Sequence, residues 1–83
     1  MPYTTIRGMR PGQIHGPVTT APPFDRPPVT ARVDVDRDAG GTTEQELPGT
    51  ALGWTRDAVL VEISHEGMRY EVWVQADRVT RRT

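Results

Sequence analysis

The segment from Trp54 to Arg82 constrains the fold most, because two alternating apolar runs lie on either side of a glycine. Side chains of an extended chain alternate between two faces, so each run places its apolar residues on one face of a strand. These residues are Val59, Val61 and Ile63 in the first run, and Met68, Tyr70, Val72 and Val74 in the second. The pattern predicts an antiparallel hairpin within a small β structure.

The length of the connecting loop decides the register of this hairpin. Paired residues keep a constant sum of residue numbers, and a slip of one residue would turn the wrong faces together. A three-residue loop gives an even sum and sets Val61 opposite Glu71. A two-residue loop at Glu66-Gly67, or a four-residue loop from Ser64, gives an odd sum. We predict an odd sum with positive φ at Gly67, and the two-residue turn pairs Ile63 with Tyr70, Val61 with Val72 and Val59 with Val74.

The outer face of the hairpin carries the candidate binding surface. In the two-residue register Leu60 lies opposite Trp73, Ser64 lies opposite Arg69, and Glu62 lies opposite Glu71. The first pair is large and apolar, and the two glutamates repel each other unless an arginine lies between them. We therefore expect the N-terminal arm, another subunit or a partner to cover this face. The predicted binding surface is Leu60, Glu62, Arg69, Glu71 and Trp73.

A further strand is predicted upstream, over residues 29–36. Its apolar residues alternate with polar ones, and a loop signal follows at Asp38-Ala39-Gly40-Gly41. Thr43-x-x-Glu46 has the form of a helix capping box. Because Pro48 and Gly49 follow at once, we expect at most one helical turn here. We also expect Leu47 and Leu52 to contact the core from a loop.

Residues 1–28 form a predicted arm, since seven of the eight prolines lie there and each one removes a backbone donor. Only short extended pieces are possible, such as 13–15 or 18–20. The prolines around Phe24 favour polyproline II but lack the Pro-x-x-Pro spacing. We expect either a linker or a strap that packs Phe24 on its own barrel. The predicted division is an arm at 1–28, either ordered or disordered, and a barrel domain at 29–83.

Length and composition set further limits. Eighty-three residues allow one domain, and the packed part is small enough for its stability to be marginal. The chain has no cysteine, no apolar run long enough to cross a bilayer and no hydrophobic signal-peptide core. We expect a cytoplasmic protein with no membrane partner. All ten basic residues are arginine, which fits a GC-rich coding genome.

The charge is distributed unevenly along the chain. Its sum is +3 over residues 1–33, −4 over 34–46, −2 over 47–75 and +2 over 76–83. Basic ends that fold back over the acidic middle are the simpler interpretation. The alternative is that a basic end contacts nucleic acid.

Candidate chemistry is sparse. Asp34, Asp36 and Asp38 are a weak calcium candidate, because glycine and glutamate each come one position late for a helix–loop–helix calcium site. His65 is expected to be solvent-exposed at its turn, and two separated histidines without cysteine disfavour zinc. Ser64 and its neighbour His65 point to opposite faces of a strand, so no nucleophilic triad is supported. We expect no catalytic activity and no cofactor.

The run Trp73-Val74-Gln75-Ala76-Asp77-Arg78-Val79 resembles the closing segment of Src-homology-3-like small barrels. In those barrels a strand passes through a short 3₁₀ turn into a last strand that closes the sheet. The resemblance covers about thirty residues, and it implies that the acidic stretch 36–46 stands for the long first loop. The paired aromatics of the peptide groove in the eukaryotic members are not evident here, so peptide binding does not carry over.

The predicted fold is therefore all-β: a small, partly open antiparallel barrel with a Pro-rich N-terminal arm. The predicted function is a non-catalytic protein-interaction or assembly module, with an unidentified protein partner or self-association. The alternative is a nucleic-acid-binding accessory protein that uses Arg69, Trp73, Arg78, Arg81 and Arg82. A calcium-stabilised module is a third class.

Overall fold

The computed structural model describes residues 4–37 and 40–82. Over these residues the chain forms seven strands and two 3₁₀ helices, labelled η. In chain order they are β1 (Thr4–Arg7), η1 (Pro11–Gln13), β2 (Thr19–Thr20), β3 (Pro28–Arg37), β4 (Gly41–Trp54), β5 (Ala58–His65), β6 (Met68–Gln75), η2 (Ala76–Arg78) and β7 (Val79–Arg81).

The strands form a nearly closed antiparallel barrel, which confirms the predicted all-β class. Strands β3 to β6 follow one another in the sheet, and β1 pairs with the free edge of β3. Two hydrogen bonds join the β1 region to β6. The Tyr70 hydroxyl donates to the Thr4 carbonyl at 2.9 Å, and the Met9 amide donates to the Trp73 carbonyl at 2.7 Å. This leaves little open edge between β3 and β6.

The hydrophobic core fills the inside of the barrel. Its residues come from strands near both ends of the chain. It contains the four inward-facing residues predicted for β3 and three of the seven predicted for the hairpin. Of the other four, Val59, Tyr70 and Val72 are partly buried against it, whereas Met68 is exposed. The buried members of the core are Ile6, Val29, Ala31, Val33, Val35, Ala51, Val61, Ile63 and Val74. The alternation of β3 is therefore confirmed, because a strand with one buried face must present every second side chain to the core.

The register of the β5–β6 hairpin is confirmed pair by pair. Ile63 pairs with Tyr70, Val61 with Val72 and Val59 with Val74. The turn is Glu66-Gly67, with φ of 51° and 79°. Positive φ at both central residues is the type I′ geometry, whose twist matches that of the flanking strands.

The capping signal at Thr43–Glu46 forms no helical turn, and the loop expected around Leu47 and Leu52 is wrong, because β4 runs unbroken from Gly41 to Trp54. Every residue of β3 pairs with β4, so long-range pairing overrides the local capping signal. Pro48 is tolerated because β4 is paired on only one side there: β5 pairs with β4 only from Gly49 onward. Core contacts of Leu47 and Leu52 are confirmed, although they come from a strand.

Residues 4–28 contribute to the same sheet. Strand β1 places Ile6 in the core, and β2 pairs with the end of β4. The expected packing of Phe24 on its own barrel is wrong, since 92% of this residue is exposed. The Asp25 amide donates a hydrogen bond to the Pro22 carbonyl at 3.0 Å and closes a turn. This turn leaves Phe24 at the tip of a proline-flanked loop. Whether 1–28 is a separable arm stays a prediction.

The closing segment has the predicted order of elements. Strand β6 ends at Gln75, one turn of 3₁₀ helix follows, and β7 pairs with residues 29–31 of β3. The acidic stretch 36–46 consists mainly of the end of β3 and the start of β4. A long first loop is therefore not formed by its described residues, because pairing between β3 and β4 extends to Arg37 and Gly41.

Candidate functional site: the outer face of the β5–β6 hairpin

The predicted surface residues lie side by side on the outer face of β5 and β6. Leu60 pairs with Trp73, and Glu62 pairs with Glu71. Arg69 Nη1 lies 4.0 Å from Glu62 Oε2, which offsets the repulsion between the two glutamates. The structure thus brings together all five residues of the predicted surface, with Arg69 and Glu71 exposed.

Leu60 and Trp73 are half-buried, and neither belongs to the hydrophobic core cluster. Trp73, Leu60 and Gly53 form one row across β6, β5 and β4. The N-terminal segment reaches both ends of this row. The Met9 amide bonds the Trp73 carbonyl, and Val18 Cγ1 lies 3.6 Å from the position of a Cβ at Gly53. The N-terminal segment therefore approaches this row at both ends, and what covers the Leu60–Trp73 pair itself stays a prediction.

The residues proposed for nucleic-acid binding are only partly brought together. Trp73 and Arg78 line one groove of about 250 Å³, together with Arg7, Arg32 and Asp34. Arg81 lines a different groove. Arg82 Nε donates to the Val29 carbonyl at 3.1 Å, while Arg69 faces Glu62. These contacts distribute the five residues over several surfaces of the barrel.

Arginines of both basic ends contact the acidic middle of the chain, as the charge distribution indicated. Arg7 pairs with Asp36. Arg78 Nη2 lies 3.3 Å from Glu44 Oε2 and 3.9 Å from Asp34 Oδ1. Arg32 Nε lies 3.2 Å from Glu44 Oε1. Because these carboxylates already have arginine partners, the groove beside Trp73 carries less net positive charge than its arginines alone would give.

Two carboxylates tie the sheet together and have shifted pKa values. Hydrogen bonds from Thr42 and Arg7 hold the pKa of Asp36 below its ordinary value. The Glu66 carboxylate accepts from Thr4 Oγ1 at 3.1 Å and from Arg37 Nη2 at 3.0 Å. The bond from Thr4 is the main cause that lowers the pKa of Glu66, and Arg37 adds to it. Glu66 thereby joins the hairpin turn to the ends of β1 and β3.

We expect the melting temperature to fall on acidification below about pH 4.5, the ordinary pKa of glutamate. A lowered folded-state pKa gives stabilisation that is complete above the unfolded-state pKa and is lost as pH falls through the folded one. Thermal melts from pH 7 to pH 2 measure this slope. The double variant Asp36→Asn, Glu66→Gln should flatten it. An equally steep loss in the double variant would contradict this account.

The calcium candidate is not supported by a cluster of ligands among the described residues. No group of three or more histidine, aspartate or glutamate side chains there could hold a metal ion. Asp34 and Asp36 contact Arg78 and Arg7, and Asp38 lies outside the described residues. Within 4–37 and 40–82, no helix has the length and apolar character needed to span a membrane.

The expected solvent exposure of His65 is wrong. Its side chain is 15% exposed, and its Nε2 lies 3.5 Å from Glu66 Oε1. His65 has the same parity as Val61 and Ile63, so it continues the inward-facing set of β5 at the end of the barrel. The alternation itself was the signal that could have predicted this burial.

A second feature was missed by sequence reasoning: an apolar groove of about 240 Å³ at one end of the barrel. Trp54 lines it together with Val29, Val59 and Val79, and Pro27 and Arg81 also contribute. These residues come from four strands and a loop, so no local motif marks the groove.

Comparison with known proteins gives no identity to either site, since no protein-family model, curated protein or solved structure matches the chain.

Proposed function

We propose that this chain is a non-catalytic protein-interaction or assembly module built on a Src-homology-3-like barrel. The path of the chain supports the proposed fold: β6 leads through the 3₁₀ turn η2 into β7, which returns to β3. This is the order of elements that the closing segment of such barrels implies. The remaining parts of the proposal concern the surface that such a barrel offers.

The observation that carries the function is the Leu60–Trp73 pair on the outer face of the hairpin. Large aromatic side chains dominate the energetics of protein interfaces, and they lie at the centre of contact patches with charged residues at the rim. Here Glu62 and Glu71 form the next pair on the same face, and Arg69 follows one pair further on, 4.0 Å from the Glu62 carboxylate. The arrangement therefore places an apolar pair next to charged residues on its turn side, which suits a protein surface of similar composition.

Substitution of Trp73 tests this proposal. We expect Trp73→Ala to weaken capture of the partner from an extract of the source cells by about thirtyfold, since a tryptophan hot spot contributes about 2 kcal/mol or more. Quantitative mass spectrometry of proteins bound to immobilised wild type and variant measures this. The matched control is Met68→Ala, because Met68 is 61% exposed on the same strand but belongs to the inward-facing parity.

Equal capture by wild type and Trp73→Ala would contradict the proposal, provided that the variant is folded. Trp73 lies outside the core cluster, so we expect the fold to survive the change. Thermal unfolding of each bait checks this before the capture experiment. Binding by the purified partner, measured by calorimetry, then gives the ratio of the two affinities directly.

Nucleic-acid binding is the alternative function, and the shared groove of Trp73 and Arg78 is the observation that favours it. An aromatic side chain beside arginines suits a single-stranded nucleic acid, because a base can stack on the aromatic ring while an arginine neutralises a phosphate. Binding through phosphate contacts falls steeply as salt rises, whereas binding through an apolar contact changes little. Titration with a short mixed-sequence oligonucleotide at two salt concentrations therefore separates the two functions.

A further inference from the structure

The loop from Pro22 to Arg26 presents an aromatic side chain that nothing in its own barrel covers. Phe24 is 92% exposed, although burial of the large apolar phenylalanine side chain is strongly favourable. Both ends of the loop are held on neighbouring residues of β4. The Ala21 amide donates to the Leu52 carbonyl at 2.9 Å, and the Ala51 amide donates to the Pro27 carbonyl at 2.9 Å.

The loop is also stiff, which matters for binding. Prolines at 22, 23, 27 and 28 fix φ on both sides of Phe24, and the Asp25 amide closes the turn on the Pro22 carbonyl. A loop held in its bound conformation loses little entropy on association. Phe24 is therefore a preorganised hook that projects from the barrel surface.

The apolar groove at the end of the barrel has the size and lining for such a ring. Its volume is about 240 Å³, and a dry apolar cavity of about 150 Å³ already binds benzene. Trp54, Val59 and Val79 supply an apolar lining, and Trp54 offers an aromatic surface for an edge or offset contact. Groove and hook are thus chemically matched.

Hook and groove lie in one surface patch. Pro27 lines the groove and follows Phe24 by three residues, which is at most about 10 Å of extended chain. A two-fold interface requires one self-complementary patch on both subunits. Two copies that meet at this loop can therefore exchange their hooks reciprocally.

One residue beside the hook and one beside the groove carry opposite charges, and Arg26 follows in the same loop. Asp25 follows Phe24 in the hook, and Arg81 lines the groove. Neither residue forms an ion pair within the described part of the chain. A Phe24 side chain in the groove of a second copy would carry its neighbour Asp25 to the groove margin, where Arg81 offers a planar fork for a carboxylate.

We propose that two copies of this chain form a dimer in which each Phe24 occupies the Trp54 groove of the other copy. The interface is small, because a phenylalanine buries about 150–250 Å² and a stable interface covers about 800 Å² per partner. The dimer is therefore weak and concentration-dependent. It uses a surface separate from the Leu60–Trp73 face, so it does not rest on the function proposed above.

Sedimentation velocity and NMR over a hundredfold range of concentration test this dimer. The chain has two tryptophans, so its two indole N–H signals report separately on the groove (Trp54) and on the hairpin face (Trp73). We expect a monomer–dimer equilibrium and a concentration-dependent shift of the Trp54 signal alone. Phe24→Ala should abolish both without changing the melting temperature, since the side chain is exposed.

A charge exchange provides the second arm of the test. Asp25→Arg and Arg81→Glu should each weaken the dimer several-fold, and the double variant should restore it. A monomer at every concentration, a dimer that survives Phe24→Ala, or growth beyond two copies would overturn the proposal. A shift confined to Trp73 would also overturn it, and would instead indicate self-association through the hairpin face.

Discussion

Gly49→Ala should destabilise the barrel by about 3 kcal/mol, the upper end of the usual cost of overpacking. Gly49 pairs with Ile63 in the ladder between β4 and β5. A Cβ at this position would overlap the backbone carbonyl oxygen of Glu62 and would lie 2.9 Å from Val61 Cγ1. Because a carbonyl in a paired strand cannot rotate away, the two strands themselves must separate.

The matched control for this prediction is Gly12→Ala. Gly12 lies in η1, and a Cβ there would have no neighbour within 4 Å. Its stability should be unchanged or slightly higher, since alanine restricts the unfolded chain. Urea unfolding followed by tryptophan fluorescence measures both variants. Similar midpoints for Gly49→Ala and Gly12→Ala would contradict the close approach of β4 and β5.

Ile63→Ala should cost about 2–5 kcal/mol of unfolding free energy, through lost burial and the cavity that remains. Ile63 is fully buried and lies in the core cluster. At about 0.05–0.15 kcal/mol per residue, a domain of this size has roughly 4–12 kcal/mol in total. This one substitution therefore removes a large share of the stability, and we expect a partly unfolded protein at 37 °C.

Two further variants make the core prediction specific. Ile63→Val should cost only about 0.5–1.5 kcal/mol, because it removes a single methyl group. Met68→Ala, on the neighbouring strand, should change the stability little, since Met68 is 61% exposed. The unfolding midpoint should therefore be highest for Met68→Ala, lower for Ile63→Val and lowest for Ile63→Ala. A loss for Met68→Ala equal to that for Ile63→Ala would contradict the placement of the core.

The hairpin and β3 could be predicted from sequence because their information is local. Alternation fixes which face of each strand is buried, and the parity of the loop fixes the register once Gly67 takes the turn. The outer-face pair of Leu60 and Trp73 follows from the same register. These elements therefore needed no knowledge of the rest of the chain.

The remaining elements depend on partners far away in sequence. Strand β1 has four residues, too few for a period to be read, and it forms because the edge of β3 is available. The Pro48-Gly49 pair reads locally as a break, but Gly49 allows β5 to approach β4 closely. The Trp54 groove combines residues from 27 to 81, so only the folded chain reveals it.

Site-specific photocrosslinking in the source cells tests the central claim most directly. A photoreactive amino acid at position 71 replaces an exposed glutamate on the proposed contact face, and the same group at position 68 serves as the control. The interaction-module account predicts a protease-sensitive adduct of defined mass from position 71 and none from position 68. Adducts that nuclease removes, or equal labelling from both positions, would contradict it.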